Sequence, residues 1–300
     1  MNSWIKAARL RTLPLSLAGI VLAGFLAIYA KKFDSLIFIF SIITASLFQI
    51  LSNFANDYGD GVKGTDNEHR IGPERAVQSG EITHKNMKNA IIITAILSFF
   101  SALFLVLYSF DFKHIFIIFF YLVLGILAIA SAIKYTVGHY AYGYFGMGDF
   151  FVLVFFGLVS VIGGYYLYTK QFDWTLLFPA ISIGLLSAGV LNLNNMRDIE
   201  NDKKSDKNTI PVKIGLDNAK KYHIILIILP LFLLQAYNFH HLHSYWQWLF
   251  FIPYLFLIKH ILKVIQIDNS KDFDPELKKL AIATFITALF FGLGQVIFYN

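Results

Sequence analysis

Residues 36–60 read LIFIFSIITASLFQILSNFANDYGD, a long apolar run that ends in the carboxylates of Asp57 and Asp60. The run has the length of about 20 residues that an α-helix needs to cross a bilayer. Carboxylates at a membrane boundary are costly and are usually retained for a function. The segment therefore predicts a membrane-spanning helix with a functional acidic cluster at one end.

The composition of the whole chain also indicates a membrane protein. Of its 300 residues 57% are hydrophobic and 15% are charged, and the mean hydropathy is +0.60. Soluble domains average about 25% charged residues. The absence of Cys excludes disulfides, thiolate metal sites and a Cys nucleophile. The net charge of +6 does not indicate a nucleic-acid partner, because the basic residues are sorted by loop, as in membrane proteins.

The apolar runs predict an all-α, polytopic membrane protein in which residues 1–300 form a single domain. Nine runs have the length and hydrophobicity of membrane spans. Their approximate limits are 13–30, 36–56, 89–110, 114–133, 149–169, 175–196, 222–240, 246–266 and 280–299.

The distribution of Lys and Arg predicts the orientation. The short links on one side hold only Lys31, Lys32, Lys113 and Lys170 of the 25 basic residues. By the positive-inside rule, the N-terminus is cytoplasmic and, after nine spans, the C-terminus lies on the opposite side. The acidic cluster and all the long loops then face the cytoplasm. We expect an active site on that face of the inner (cytoplasmic) membrane.

A second acidic cluster lies at the end of another apolar run. Residues 194–202 read NNMRDIEND, and Asn194 and Asp198 repeat the spacing of Asn53 and Asp57 at an offset of 141 residues. Each pair lies at the end of a span and precedes a basic loop. This arrangement indicates internal pseudo-symmetry.

The acidic clusters predict a magnesium site that carries a diphosphate. Carboxylates three or four residues apart share a helix face and repel one another unless a cation lies between them. Ligand sets made only of oxygen suit magnesium, which is commonly held by carboxylates together with substrate phosphates. The alternative is a set of solvated acids that cap helix ends. The candidate metal ligands are Asp57, Asp60, Asp66, Asp198 and Asp202.

Basic residues near the clusters are candidates for diphosphate binding. Arg70 and Arg75 flank a Gly-Pro turn, and Lys207 follows the second cluster. Arg binds phosphate with two parallel hydrogen bonds, whereas Lys acts as a point charge. Arg197 lies among the acids of the second cluster, and we expect it to pair with Asp198 or Glu200.

A third polar segment connects two of the predicted spans. Residues 134–149 read KYTVGHYAYGYFGMGD, and Asp149 leads directly into an apolar run. Four Tyr and four Gly in one segment indicate a loop packed closely against another part of the molecule. The alternative for Tyr140, Tyr142 and Tyr144 is an aromatic belt at the membrane interface.

These motifs resemble the UbiA superfamily of intramembrane aromatic prenyltransferases, in particular its branch that prenylates 1,4-dihydroxy-2-naphthoate for menaquinone biosynthesis. The resemblance runs from Arg9 to about Gly215. Asp206 and Ala141 depart from the pattern, since Gly and Pro are expected there. The matching segments are 9–14 (RLRTLP), 51–66 (LSNFANDYGDGVKGTD), 70–73 (RIGP), 135–136 (YT), 146–149 (GMGD), 194–202 and 209–212 (TIPV).

The resemblance implies nine helices around a central cavity that opens to the cytoplasm. It further implies Mg2+ and a polyprenyl diphosphate, whose prenyl group is transferred to the naphthoate with loss of CO2 and diphosphate. Under this hypothesis Asn53, Asn56 and Asn194 contact the diphosphate or orient the metal ligands. Arg11 and Tyr135 orient the acceptor, and Asp149 assists proton removal.

Two alternatives stay open from the sequence. One is a prenyl or phytyl transferase that acts on another aromatic acceptor, such as 4-hydroxybenzoate, homogentisate or chlorophyllide. The other is a cation-coupled membrane transporter, but acids in transporters often lie in mid-span on broken helices. Here they lie at one boundary beside long basic loops, which favours an enzyme. No nucleic-acid or protein partner is evident.

Overall fold

The computed structural model describes residues 3–66 and 71–297, so Arg70 of the predicted site lies outside the described residues. All regular secondary structure in these two ranges is helical. The helices are α1 (Ser3–Ala8), α2 (Leu13–Tyr29), α3 (Ser35–Lys63), α4 (His84–Ser109), α5 (Ile115–Lys134), α6 (Gly148–Val152), α7 (Gly164–Thr169), α8 (Leu177–Arg197), α9 (Ile199–Lys204), α10 (Ile210–Ile214), α11 (Leu216–His240), α12 (Phe251–Ile265) and α13 (Asp274–Val296).

Nine candidate membrane-spanning segments occur in the part of the chain that the structure describes, which confirms the number predicted from the apolar runs. Several of them combine an α-helix with a preceding 3-10 turn or a shorter helix. The segments are Ser3–Tyr29, Ser35–Lys63, His84–Ser109, Phe112–Lys134, Gly148–Thr169, Trp174–Arg197, Leu216–His240, Tyr245–Ile265 and Ser270–Val296.

Helix α3 extends two turns beyond its predicted end at residue 56. It begins after Asp34, whose side chain accepts hydrogen bonds from the backbone N–H groups of Leu36 and Ile37. A cap of this kind contributes about 1 kcal/mol. The helix ends at Gly64, which adopts the left-handed conformation (φ 72°) that glycine tolerates best. Asp57 and Asp60 therefore lie on the last helical turns.

Helix α8 forms the centre of the bundle. Its buried side chains include Ile183, Leu186 and Leu193, which pack in the largest apolar cluster of the protein. By contrast, Ile118 is the one buried residue of α5. Because lipid is as apolar as these side chains, close packing rather than water exclusion holds membrane helices together. Helix α8 is therefore positioned from all sides, and α5 faces outward.

The segment between α6 and α7 is a π-helix, Leu153–Gly163, that packs closely against α8. A Cβ atom on Gly157 would lie 2.5 Å from the backbone oxygen of Ala180, and one on Gly184 would lie 2.6 Å from Leu153 Cδ1. Small residues at both positions let the two backbones approach. π-helical turns are rare and are frequent at functional sites.

The loops that follow α3, α5 and α8 meet at one end of the bundle. The Asn201 side chain donates a hydrogen bond to the backbone oxygen of Thr65 at 2.8 Å. The backbone N–H of Asn208 donates to the Tyr144 backbone oxygen at 2.9 Å, and Lys213 Nζ donates to the Phe145 oxygen at 2.7 Å. The fold thus brings both acidic clusters and the Tyr- and Gly-rich loop together.

Candidate active site

A cavity of about 400 Å³ lies inside the bundle beside the acidic clusters. Its volume falls in the range of roughly 300–1,000 Å³ that small-molecule pockets occupy. Its wall is apolar toward the middle of the bundle, where Leu15, Phe155 and Phe156 lie, and polar at the end that the loops surround. The residues predicted from the sequence that lie on this wall are Arg11, Asn56, Asp60, Arg75, Tyr135, Asn194 and Lys207.

Asp57 is buried and anchors the loop that follows α3. Its two carboxylate oxygens accept hydrogen bonds from the backbone N–H groups of Ala76 and Val77, both at 3.2 Å. Hydrogen bonds to an ionised acceptor are stronger than those between neutral groups. Asp57 therefore fixes this loop against α3 and is not itself on the cavity wall.

Asp60 and Asp66 share one arginine. The Arg75 guanidinium lies 3.6 Å from an Asp60 oxygen through Nη2 and 3.3 Å from an Asp66 oxygen through Nε. All three side chains are buried. Arg75 and Asp60 line the cavity, whereas Asp66 lies behind them. One arginine between two carboxylates balances half of their charge.

The two amides of the first cluster contact other parts of the protein. Asn53 Nδ2 donates to the Ala8 backbone oxygen at 2.8 Å and to Thr12 Oγ1 at 3.1 Å, so it joins α3 to the N-terminal segment. Asn56 Oδ1 accepts from Thr136 Oγ1 at 3.3 Å. Asn56 lines the cavity and Asn53 does not.

In the second cluster, Arg197 binds both oxygens of Asp198. Nε donates to Oδ1 at 2.9 Å and Nη2 donates to Oδ2 at 2.6 Å. The pairing of Arg197 with Asp198, expected from the sequence as one of two possibilities, is confirmed. Nη2 also donates to Asn194 Oδ1 at 2.8 Å. Nη1 donates to Asp274 Oδ1 at 2.6 Å, which ties the start of α13 to the end of α8.

The predicted helical ladder of Asn194, Asp198 and Asp202 is almost continuous. Backbone hydrogen bonds connect Asp198 N to Asn194 O and Asp202 N to Asp198 O at 3.1 and 2.8 Å. The helix is interrupted only at Asp198, where α8 ends and α9 begins. The ladder therefore presents its side chains at one end of the bundle, as the spacing predicts.

Asp202 and Lys207 form a buried pair, with Nζ 3.4 Å from Asp202 Oδ1. Burial raises the pKa of Asp202 to about 6, and the nearby Asp198 and Asp60 carboxylates oppose the lowering effect of Lys207. Burial disfavours the charge of Lys207, but Asp60 and Asp202 outweigh it and hold the pKa of Lys207 well above its ordinary value. Lys207 is therefore a cation at neutral pH.

The Tyr- and Gly-rich loop contributes Tyr144 to the site. Its hydroxyl donates to Asp60 Oδ1 at 2.9 Å and lies 2.6 Å from Thr65 Oγ1. Burial raises the pKa of Tyr144 and keeps it a neutral donor. By contrast, Tyr140 is 87% exposed. Tyr142 lines the cavity, and its hydroxyl donates to the Ser131 backbone oxygen at 3.0 Å. The tyrosines of this loop therefore lie in three places, namely against the first cluster, on the cavity wall and at the protein surface.

Tyr135 and Asp149, the two predicted site residues of the Tyr- and Gly-rich segment, differ in their position relative to the cavity. Tyr135 lies on the cavity wall, and burial raises the pKa of its phenol. The Asp149 carboxylate accepts a hydrogen bond from the Tyr222 hydroxyl at 2.9 Å. Gly148, not Asp149, lines the cavity. The structure therefore places Tyr135, but not Asp149, where a substrate in the cavity would contact it.

Three further cationic side chains line the cavity: Arg9, Arg197 and Lys278. Arg9 belongs to the same N-terminal segment as Arg11 and adopts a left-handed backbone conformation (φ 47°). Lys278 lies on α13, in a part of the sequence that carries no motif. Only the three-dimensional arrangement identifies it.

The donor set fits magnesium, although in residues 3–66 and 71–297 no three His, Cys, Asp or Glu side chains are gathered as a ready metal cluster. Asp202 Oδ2 is buried and receives no hydrogen bond from the described residues. An ionised oxygen without a donor is destabilised by burial and is suited to a cation. Arg75, Arg197 and Lys207 contact the neighbouring acids, so a metal would replace these cations.

Comparison with known proteins gives the family. A family model described as "UbiA prenyltransferase family" matches residues 17–283. The chain is 44% identical over 293 residues to a 1,4-dihydroxy-2-naphthoate octaprenyltransferase of Escherichia coli (strain K12), covering 98% of this chain and 94% of the relative. It is 40% identical over 299 residues to the Haemophilus influenzae protein of the same name, covering 99% and 96%.

A solved structure shows the same fold. It is described as a UbiA homolog from Archaeoglobus fulgidus bound to DMAPP and Mg2+. The TM-score is 0.62 at 14% identity, with 96% of this chain and 99% of that chain covered. The helical bundle and its cavity thus define an intramembrane prenyltransferase fold. The chain belongs to the UbiA prenyltransferase family, as the sequence motifs predict.

Proposed function

We propose that this protein transfers a polyprenyl group from polyprenyl diphosphate to 1,4-dihydroxy-2-naphthoate, with loss of CO2 and diphosphate, in menaquinone biosynthesis. The names of the two full-length relatives favour an octaprenyl donor. The main support from the structure is the cavity, which is charged at one end and apolar elsewhere. Such a cavity suits a substrate with a diphosphate at the head of a hydrocarbon chain.

At the charged end, the cations lie on the cavity wall and several of the acids lie behind them. Arg75, Arg197 and Lys207 line the cavity, whereas Asp66, Asp198 and Asp202 contact these cations from outside it. An entering diphosphate therefore meets guanidinium and ammonium groups first. As these groups turn to the phosphate oxygens, the acids behind them become available as ligands.

The residues that would hold Mg2+ are Asp60, Asp198 and Asp202, with Asp57 and Asp66 as further ligands. When bound, magnesium stabilises the charge that develops on the departing diphosphate. Asn56 and Asn194 on the wall orient the diphosphate, and Asn53 fixes the N-terminal segment nearby. Arg70 remains a proposed phosphate contact on the grounds of its sequence alone.

Arg11 and Tyr135, also on the cavity wall, orient the aromatic ring beside the diphosphate site. The Arg11 guanidinium pairs with the ring carboxylate, and the neutral Tyr135 phenol hydrogen-bonds to a ring hydroxyl. The bond between the allylic carbon and the diphosphate oxygen breaks, a bond between that carbon and the ring forms, and the carboxylate leaves as CO2. The sequence predicts that Asp149 assists proton removal. Its carboxylate, however, accepts a hydrogen bond from Tyr222 and does not line the cavity, so this proposal does not include Asp149 in the reaction.

We further propose that the whole chain is one domain of the inner (cytoplasmic) membrane, with a cytoplasmic N-terminus and the C-terminus on the opposite side. The concentration of Lys and Arg in the loops around the acidic clusters supports this orientation. The prenyl tail then lies among the helices or extends into lipid. The lipid bilayer and the two substrates are the partners that this proposal requires.

The test uses the full chain in membranes, incubated with octaprenyl diphosphate, Mg2+ and labelled acceptor. We expect a prenylated, decarboxylated product from 1,4-dihydroxy-2-naphthoate and at least tenfold less product from 4-hydroxybenzoate. Asp198→Asn and Asp57→Asn should each abolish transfer while the protein still inserts. Asp206→Asn, which changes an exposed acid near the second cluster, is the matched control and should retain activity.

Each alternative has its own result in this assay. If the protein preferred 4-hydroxybenzoate or homogentisate, it would still be a prenyltransferase, but 1,4-dihydroxy-2-naphthoate would not be its acceptor. Cation-coupled transport without any prenylated product would reject the enzyme. Near-normal transfer by both Asp→Asn variants would reject the magnesium–diphosphate site itself.

A further inference from the structure

Arg197 joins two acids that belong to different parts of the fold. Its side chain is one of the largest fully buried side chains, at 2% exposure. It contacts Asp198 at the end of α8 and Asp274, the first residue of α13, each at 2.6 Å. Asp274 is about one-third exposed and belongs to neither acidic cluster. No sequence motif points to Asp274.

The contacts of Arg197 restrict what Asp198 can do. Both Asp198 oxygens accept hydrogen bonds from the guanidinium, so each has only its second lone pair left for a cation, and a cation bound there is repelled by Arg197 unless the guanidinium moves away. A buried guanidinium that loses its acid without replacement is strongly destabilised. The availability of Asp198 therefore depends on what else holds Arg197.

We propose that Asp274 is a positioning residue that retains the Arg197 guanidinium when Asp198 is taken up by Mg2+ and the diphosphate. This inference rests on the proposed function. Asp274 already accepts a short hydrogen bond from Nη1, while Asp198 is bound through Nε and Nη2. Arg197 can thus release Asp198 and keep one charged partner. The released edge of the guanidinium lies at the cavity, where a diphosphate oxygen can bind it.

The first cluster has a parallel arrangement. Arg75 also lies between two acids, Asp60 on the cavity wall and Asp66 behind it. In each cluster one arginine therefore has a second carboxylate as an alternative partner. In the first cluster that second carboxylate comes from the same motif. In the second cluster it comes from the last helix.

A purely structural role for Asp274 predicts a different result. If Asp274 only ties α13 to α8, its removal lowers the melting temperature and leaves the Mg2+ requirement unchanged. If Asp274 retains Arg197 during metal binding, removing its carboxylate raises the Mg2+ concentration at the midpoint of binding. This rise is expected whether or not the melting temperature also changes. The two roles are separated by measuring both quantities on the same protein.

The experiment compares Asp274→Asn with Asp272→Asn, which changes an exposed acid in the 3-10 turn just before α13. Mg2+ is titrated in the presence of inorganic diphosphate, and the rise in melting temperature gives a midpoint. We expect the midpoint for Asp274→Asn to be about tenfold higher than for the parent chain, because release of Asp198 then leaves Arg197 without an acid. The Mg2+ midpoint for prenyl transfer should shift by the same factor.

Two further variants test the route through Arg197. Asp274→Glu restores the carboxylate and should restore the midpoint to within twofold. In an Arg197→Gln background, adding Asp274→Asn should produce no further shift, because the two changes act on one interaction. If Asp274→Asn does not fold, the Mg2+ midpoint of Asp274→Ser is compared with those of the parent chain and of Asp272→Asn instead.

The outcomes distinguish this inference from the proposed function. The role of Asp274 would be overturned if Asp274→Asn had the same Mg2+ midpoint as the parent chain. It would also be overturned if Asp274→Asn shifted the midpoint equally in the parent chain and in the Arg197→Gln background. Neither result would contradict the proposed transferase activity. A parent chain that neither responds to Mg2+ nor makes any prenylated product would instead overturn the proposed function, and this inference with it.

Discussion

The two acidic clusters have the same spacing of Asn and Asp but hold their first aspartate differently. Asp57 accepts hydrogen bonds from two backbone N–H groups, those of Ala76 and Val77. Asp198 is bound by the side chain of its neighbour Arg197. A sequence repeat therefore does not imply the same contacts, because each cluster uses the partners that its own loop supplies.

The difference predicts which acid can change partners. A backbone N–H group belongs to a folded loop and moves only when that loop moves. A guanidinium carries five N–H donors, so it can release one acid while it stays bound to another. Asp57 is therefore suited to fixing the geometry of the first cluster, and Asp198 is suited to exchanging Arg197 for a metal.

Next to the complete loss of transfer expected for Asp57→Asn and Asp198→Asn, the largest effect is expected at Asp60 and Asp202, one acid from each cluster, whose charges interact. Asp60→Asn and Asp202→Asn should each lower kcat/KM by about a thousandfold, because each removes a charge that would bind Mg2+. The measurement is the rate of naphthoate prenylation at saturating Mg2+. Asp206→Asn serves as the control. If only one of the two variants lost activity, the clusters would not act together.

A second experiment tests the difference between Asp57 and Asp198 directly. Asp57→Asn should increase hydrogen exchange in the peptides that contain Ala76 and Val77 by roughly tenfold, because the amide nitrogen of Asn cannot accept from a backbone N–H. Asp198→Asn should leave exchange in those peptides unchanged, although both variants lose transfer. Mass spectrometry of the exchanged protein gives the result. Equal exchange in both variants would contradict the structural role of Asp57.

A third experiment compares the cations of the two clusters. Arg75→Gln and Lys207→Gln should each raise the KM for the prenyl diphosphate by about tenfold or more, since each removes a charged group from the cavity wall. The KM for the naphthoate should change much less. Lys203→Gln, an exposed residue of α9, is the matched control. A shift in the naphthoate KM alone would place these cations at the acceptor instead.

The number of helices and the position of the clusters follow from the sequence because the bilayer imposes a length on every span. The spacing of Asn194, Asp198 and Asp202 correctly predicts a nearly continuous helical ladder. The helix ends are less predictable. Helix α3 continues to Lys63 through Gly59 and Gly61, although glycine weakens a helix and hydropathy falls well before that point. Gly59 allows close packing against Thr136, a contact that the sequence does not show.

The partners of the site residues could not be predicted from the sequence. Arg197 and Asp274 are 77 residues apart, as are many pairs that do not touch. Asn53 fits a phosphate ligand by its motif, but its amide binds the Ala8 backbone and Thr12. Such contacts depend on the packing of α1 and α13 against the other helices. Local spacing and periodicity carry no information about that packing.

The smallest effect is expected for Arg11, the proposed acceptor-binding residue that belongs to neither cluster. Arg11→Gln should raise the KM for 1,4-dihydroxy-2-naphthoate by about tenfold and leave the Mg2+ midpoint unchanged, because an exposed guanidinium contributes less than a buried one. Lys6→Gln, which removes an exposed ion pair with Glu81, should change neither quantity by more than about twofold. If Arg11→Gln instead raised the KM for the prenyl diphosphate, the acceptor would have to be recognised by other residues, and the N-terminal segment would form part of the diphosphate site.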